Sequence, residues 1–294
     1  MILRVLGVFI FIVAAILVVV YIKPIREFSE AYNLRGASIP ELESAMEAHP
    51  GNVRLAMKLA DAYLIQHTGP YDAKADRIYE EVLQREPDNM DAMLGAGRAL
   101  ADEPGKLNEA LAIYRKALKV NPGNENILLD LGNIYKAQAE VPSLTDADLR
   151  HWLYRWAVYY YRLTLLVDPQ NFQARFNLGV AYQQLDEKES AAREYCNAIV
   201  LAPDSYESRY NLGLVLLDLN HLNEADRQFR QAVDLLSNSP DQSKQLKTQD
   251  LAQTIENVKS SVYYDEDKSG LTPDLPTPFM SSACLLTPPQ QKAS

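Results

Sequence analysis

The residues that could perform catalysis or bind a metal are few and scattered along this chain. Its four histidines are far apart, and no two of them have the spacing of ligands on one helix face. The two cysteines cannot form a disulfide framework or a four-ligand zinc site. These residues are His49, His67, His151, His221, Cys196 and Cys284. We therefore expect no metal site.

His151 and Asp148 invite an enzymatic interpretation, because an imidazole near a carboxylate can act as a general base. Such a base also needs a nucleophile or a metal in a walled pocket. The sequence has no G-x-S-x-G motif and no Gly-rich phosphate loop. An exposed histidine on a helix is the better interpretation, so we expect neither an enzyme nor a cofactor.

The charge balance argues against a nucleic-acid partner. The 294 residues are 47% hydrophobic and 23% charged, a composition typical of globular proteins. Lys and Arg total 29 against 39 Asp and Glu, which gives a net charge of −10. A protein that binds DNA or RNA needs clustered cations to displace counterions, and this chain has no basic run.

The N-terminus has the pattern of a membrane anchor. The run from Val5 to Ile22 contains no charged residue and no proline. As a helix it would span about 27 Å, close to the thickness of the hydrocarbon core. Arg4 can reach the headgroups at one end, and Lys23 and Arg26 lie at the other. The pattern predicts one transmembrane helix within residues 1–26.

Two alternatives to an anchor are weaker. A cleaved secretory signal normally has a shorter apolar core followed by a small-x-small site, which is missing here. Soluble helices rarely remain apolar on every face for five turns. Sidedness is not settled, because cations flank the run on both sides. Their count leans slightly toward a cytoplasmic rather than a periplasmic soluble part.

A repeat extends through most of the remaining chain. Five prolines recur at similar intervals, with one longer interval before the fourth, and each is followed two positions later by asparagine or serine. The prolines are Pro50, Pro87, Pro122, Pro169 and Pro203. A small residue follows each of them in an apolar segment, namely Ala60, Gly97, Gly132, Gly179 and Gly213. A second segment then carries Ala75-Tyr79-Val82, Ala110-Tyr114-Ala117, Ala157-Tyr161-Thr164, Ala191-Tyr195-Ala198 and Ala225-Phe229-Ala232 in turn.

This spacing has a physical interpretation. Small residues allow two antiparallel helices to cross closely, and aromatic rings fill the space beside them. Proline ends the second helix, and the asparagine after it can cap the next one. One such hairpin cannot bury its apolar face alone, so the units must stack.

The chain resembles the tetratricopeptide repeat family, and the stretch from Pro169 to Pro203 matches the pattern of that family without a gap. The resemblance implies an all-α fold, a right-handed superhelical solenoid of about five helix-turn-helix repeats. The predicted organisation is a transmembrane anchor at 1–26, a juxtamembrane segment and half-repeat helix at 27–52, tetratricopeptide repeats at 53–236 with an insert at about 137–149 in the third, a capping helix at 237–264 and a Pro/Ser/Thr-rich disordered tail at 265–294.

The resemblance also predicts a binding groove, because the first helices of such repeats line the concave face. The groove residues expected from the pattern are Met57, Asp61, Leu94, Arg98, Leu129, Asn133, Phe176, Val180, Gln183, Tyr210 and Leu214. Apolar patches with amides at their edges suit an extended or helical peptide. The alternative is that some of these apolar side chains pack between neighbouring repeats.

One subclass of the family can be tested by residue type. Members that bind chaperone tails hold a terminal dicarboxylate with two asparagines and three cations. Asn133 and Asn177 stand at the asparagine positions, but Leu129, Glu207 and Asn211 occupy the cation positions. A carboxylate needs charge-assisted donors there, so we do not expect this clamp.

The insert of the third repeat predicts a long helix that starts near Asp146 and ends before Pro169. Thr145 and Asp148 resemble a capping box at its start. Its first half would project beyond neighbouring helices and carries the candidate contact residues Trp152, Arg155 and Trp156. Exposed Trp and Arg are typical interface anchors. The alternative is that residues 137–143 fold back and bury them.

The tail after Asp265 is rich in proline, serine and threonine, which disfavours regular structure. Both an inert disordered tail and a short docking segment fit it. We therefore expect a non-enzymatic, membrane-anchored adaptor or scaffold that binds protein or peptide partners to assemble, recruit or stabilise a membrane complex. A permanent structural subunit of such a complex is the alternative.

Overall fold

The computed structural model describes residues 36–66, 69–103, 105–238, 248, 251–257 and 260, and of residues 69–72 only the backbone. The predicted anchor at residues 5–22 and the tail at 265–294 lie outside this part of the chain. Among the residues that are described, no helix is long and apolar enough to cross a bilayer. Every regular element in them is a helix.

The chain divides into two compact units between Pro122 and Gly123. In the described part of the first unit, one helix precedes two helical hairpins. Its helices are α1 (Ile39–Ala48), α2 (Val53–Gln66), α3 (Gly69–Arg85), α4 (Met90–Asp102) and α5 (Leu107–Val120). Leu42 of α1 is 3% exposed and joins the buried cluster formed by α2, α3 and α4, so the single helix covers apolar surface of the first hairpin.

Residues 123–238 of the second unit form three helical hairpins. Its helices are α6 (Glu125–Ala139), α7 (Ala147–Val167), α8 (Phe172–Gln184), α9 (Lys188–Leu201), α10 (Tyr206–Asp218) and α11 (Leu222–Ser237). Residues 251–257 are also helical, and Ile255 among them is 4% exposed within the core cluster of α9, α10 and α11. That apolar contact covers part of the last hairpin.

Asparagine caps begin the first helix of most hairpins, as the sequence predicts. The side chain of Asn171 accepts a hydrogen bond from the backbone N–H of Ala174 at 2.9 Å. The side chains of Asn52, Asn89 and Asn124 each accept a hydrogen bond from the backbone N–H three residues ahead, and Ser205 caps α10 in the same way. Each cap satisfies a backbone donor that the helix itself leaves unpaired.

Glycine sets the distance between the paired helices. A Cβ atom built on Gly132 of α6 would lie 2.5 Å from a ring carbon of Tyr161 on α7. Gly213 of α10 has the same relation to Phe229 of α11, also at 2.5 Å. The prediction that small residues mark the crossing points and aromatic rings fill them is therefore confirmed.

The cap of α7 differs from the prediction. The N-cap is Asp146, whose carboxylate accepts from the backbone N–H of Leu149 at 3.0 Å. The expected capping box of Thr145 with Asp148 is therefore wrong by one residue, since the N-cap is Asp146, which accepts from the N–H of Leu149 and not from that of Asp148. The helix ends at Val167 with Asp168 as its C-cap, one residue before the proline.

Candidate protein-binding surfaces

The seven predicted groove residues of the second unit all lie on the first helices of its hairpins. Every one of them is half-buried, so each shows part of its side chain to solvent. They are Leu129 and Asn133 on α6, Phe176, Val180 and Gln183 on α8, and Tyr210 and Leu214 on α10.

The apolar members of this set on α8 and α10 also pack against the core of the unit. Phe176, Val180, Tyr210 and Leu214 all contact the buried core cluster of the unit. The ring of Phe176 lies 5.9 Å from that of Tyr195, centroid to centroid. These side chains therefore bury one part of their surface in the unit and leave the other part exposed.

The polar members are held by hydroxyl groups from the second helices. The Tyr161 hydroxyl donates to Asn133 Oδ1 at 2.9 Å, and Asn177 Nδ2 donates to the same oxygen at 2.9 Å. Burial raises the pKa of the Tyr161 phenol well above its ordinary value. It therefore stays protonated and keeps donating at physiological pH.

A second hydroxyl acts in the same way on α8. Tyr195 Oη donates to Gln183 Oε1 at 2.9 Å and accepts a hydrogen bond from Asn211. Burial is the main reason that the pKa of Tyr195 is raised. The amides of Asn133 and Gln183 are thus each held in one orientation by a tyrosine hydroxyl.

The geometry of the asparagines agrees with the expectation that this is not a dicarboxylate clamp. Asn177 is only 5% exposed and spends an amide hydrogen on Asn133. Glu207 is exposed and would repel a carboxylate at the position where the clamp has a cation.

The first unit carries the other four predicted groove residues. Met57 and Leu94 are half-buried, while Asp61 and Arg98 are exposed. The Tyr79 hydroxyl donates to Asp61 Oδ1 at 2.8 Å, so this carboxylate also accepts from a second-helix tyrosine. The sequence pattern predicts Asp61, Asn133 and Gln183 as ligand contacts but does not reveal their hydrogen bonds with second-helix tyrosines. Asp61 and Asn133 each follow the small crossing residue of their repeat, which could have indicated these bonds.

The predicted contact residues on α7 differ in exposure. Trp152 is 51% exposed and Arg155 is exposed, so residues 137–143 do not bury them. Trp156 is half-buried and stacks on Tyr135 of α6 at 5.8 Å between ring centroids. Tyr159 beside it is 51% exposed and is not among the contact residues predicted from the sequence.

No group of three or more His, Cys, Asp or Glu side chains in the described part of the chain is placed to hold a metal ion.

Comparison with known proteins agrees with this architecture. Family models described as TPR repeat or tetratricopeptide repeat match residues 103–138, 126–208 and 206–235. A curated relative, the uncharacterized protein y4yS of Sinorhizobium fredii, is 36% identical over 84 residues. That match spans 29% of this chain and 44% of the relative, less than half of its length.

Two solved structures have a similar fold. A thermophilic TPR protein of Thermus thermophilus, TTC0263, is 18% identical with a TM-score of 0.54, over 68% of this chain and 99% of that one. MamA from Desulfovibrio magneticus, from residue 41 to its end, is 18% identical with a TM-score of 0.53, over 64% and 97%. Residues 103–235 thus match models of the tetratricopeptide repeat, and the fold is similar to that of a solved tetratricopeptide-repeat protein.

Proposed function

We propose that this protein is a non-enzymatic scaffold that binds a segment of a protein partner on the first helices of its second unit. The observation that carries the proposal is the mixed surface of α8 and α10. The surface contains the half-buried side chains of Phe176, Val180, Tyr210 and Leu214. Amides lie among them, and that of Gln183 is oriented by a tyrosine hydroxyl. Such a surface suits a peptide with apolar side chains and free backbone groups.

From the sequence alone, we also propose that the protein is tethered to a membrane. An apolar run at residues 5–22 would tether the repeats beside a bilayer and raise their effective concentration near membrane partners. On this basis the protein assembles, recruits or stabilises a membrane complex, with its soluble part in the cytoplasm. Extraction of membranes at alkaline pH tests the tether: the full chain stays in the pellet, and a chain lacking residues 1–26 moves to the supernatant. A full chain that is extracted refutes it.

The binding surface is tested by site-specific photo-crosslinking in native membranes. A benzoylphenylalanine at Gln184, an exposed position on α8, should give one dominant protein adduct. The matched control is the same group at Arg193, an exposed position on α9 of the same hairpin. An adduct from Arg193 with none from Gln184 would contradict the proposal.

Purification distinguishes an adaptor from a permanent structural subunit. A subunit remains stoichiometric with the crosslinked partner through detergent extraction and size-exclusion chromatography. An adaptor dissociates from it under the same conditions.

A further inference from the structure

Five residues form a straight exposed stripe along α7. Trp152, Arg155, Tyr159, Arg162 and Leu166 are all exposed, and Leu166 is 79% exposed. Their spacings alternate between three and four positions. We call this set the Trp–Arg stripe, and it lies on a different helix from the groove residues.

The spacing places the stripe along one side of the helix. Alternation of three and four positions is the pattern by which one helix packs against a second one lengthwise. The stripe extends for about 21 Å, given a rise of about 1.5 Å per residue. The buried residues of α7, among them Ala157, Tyr161 and Thr164, contact the rest of the unit instead. The described residues therefore leave the stripe exposed along its length.

The aromatic part of the stripe is held in place by neighbouring rings. Trp152 lies 5.8 Å from Trp156, and Trp156 lies 5.5 Å from Tyr159, centroid to centroid. Tyr159 in turn is 5.2 Å from Tyr160, which stacks on Tyr135 at 5.5 Å. Such ordered rings lose little conformational entropy when a partner covers them.

The charged part of the stripe is not neutralised by this unit. Neither Arg155 nor Arg162 makes an ion pair with a carboxylate of the described chain. The two arginines are two helical turns apart, about 10.5 Å along the helix. The matching arrangement on a second helix is two carboxylates at the same separation, with apolar side chains between them to contact the rings.

We infer that the Trp–Arg stripe binds an amphipathic helix of another protein that carries Asp or Glu at two positions seven residues apart. A second copy of α7 is a poor occupant, because it would set arginine against arginine in either direction. An anionic bilayer is also a poor occupant. It would face the whole protein, whose net charge is −10, rather than the stripe alone. A single helix meets only the two arginines and the rings.

The test uses the chain's own fluorescence, because both of its tryptophans, Trp152 and Trp156, lie at the stripe. The probes are two lactam-bridged helical peptides with leucines at alternating three- and four-residue spacing. One has glutamates at two positions seven residues apart, and the other has lysines there. The glutamate peptide should bind the full chain saturably and shift the tryptophan emission to the blue. The lysine peptide should bind at least 10-fold more weakly.

Charge reversal makes the test specific. The double variant Arg155→Glu/Arg162→Glu should lose at least 10-fold in affinity for the glutamate peptide and prefer the lysine peptide. The matched control, Arg193→Glu on α9, should change neither affinity. Equal binding of the two peptides, or no effect of the double variant, overturns the inference. A blue shift with vesicles containing anionic phosphatidylglycerol, but none with the glutamate peptide, overturns it in favour of a membrane surface.

Discussion

A buried arginine in the last hairpin gives a quantitative test of how the repeats are stabilised. Arg209 is 2% exposed, and the acceptors of its guanidinium within the described part of the chain are neutral. Nη1 donates to Gln231 Oε1 at 2.6 Å and to Gln228 Oε1 at 3.2 Å, while Nη2 donates to the carbonyl of Pro203 at 3.2 Å. Nε has no partner. Burial lowers the pKa of this arginine, as expected for a desolvated cation.

The preceding repeat has the same arrangement with a carboxylate. Arg175, at the equivalent position one repeat earlier, donates from Nη2 to the carbonyl of Pro169 at 3.3 Å and from Nη1 to Glu194 Oε2 at 2.8 Å. Glu194 and Gln228 also occupy equivalent positions in these two repeats. The two repeats thus differ by one charge beside the same guanidinium.

We expect Gln228→Glu to stabilise the second unit by about 1 kcal/mol. A neutral hydrogen bond contributes about 0.5–1.5 kcal/mol net, and one between charged groups about 1.5–3 kcal/mol. The cost of burying the new carboxylate reduces this gain, but the guanidinium is already desolvated. For a unit of this size the gain corresponds to a rise in Tm of about 3–5 °C. The reciprocal variant, Glu194→Gln, should lower Tm by a similar or smaller amount, because Arg175 is more exposed than Arg209.

Tryptophan emission of the full chain during thermal or urea unfolding is the appropriate assay. Both tryptophans lie in the second unit, so the signal follows the unit that contains Arg209. The gain from Gln228→Glu should disappear as the pH falls through the pKa of the new carboxylate, because protonation removes its charge. A midpoint that is unchanged or lower at pH 7 would refute the reasoning that a missing charge, rather than packing, limits this site.

Three further variants test the hairpin crossings and their electrostatics. Gly132→Ala should destabilise the chain by about 1–3 kcal/mol, because its Cβ would lie 2.5 Å from the Tyr161 ring. Far-UV circular dichroism should show this against the control Gly51→Ala, which meets nothing within 4 Å. Tyr161→Phe removes the hydroxyl that donates to Asn133 and should lower the free energy of unfolding by about 1 kcal/mol, as measured by urea titration. Burial and a hydrogen bond with Glu103 raise the pKa of Asp76 to about 6. Since the folded state then holds this proton more tightly than the unfolded state, Asp76 should make stability fall as pH rises from about 4 to 6. When Tm is measured as a function of pH, the variant Asp76→Asn should lack this fall in stability. A pH profile identical to that of the unmodified protein would contradict the prediction.

Much of the fold follows from local patterns in the sequence. Gly132 and Gly213 allow the helices of their hairpins to cross closely. The rings of Tyr161 and Phe229, respectively, fill the space beside them. Caps such as Asn171 depend on one side chain and a backbone donor three residues ahead. Both kinds of signal lie within a single repeat, so periodicity reveals them.

The candidate site was less predictable because its residues have two roles. Phe176 and Tyr210 contact both the core and the solvent. The periodicity of the sequence does not show how much of a side chain faces each of them. The amides of Asn133 and Gln183 accept hydroxyl donors from the second helix, and this depends on side-chain rotamers. The structure was likewise needed to show that Arg209 donates to the neutral side chain of Gln228.

The most direct test of the proposed scaffold is hydrogen–deuterium exchange of the full chain, with and without the partner identified by crosslinking at Gln184. Partner binding should slow exchange in α8 and α10 by at least several-fold and leave α9 unchanged. Protection confined to α9, or no change in α8 and α10, would contradict a binding surface on the first helices.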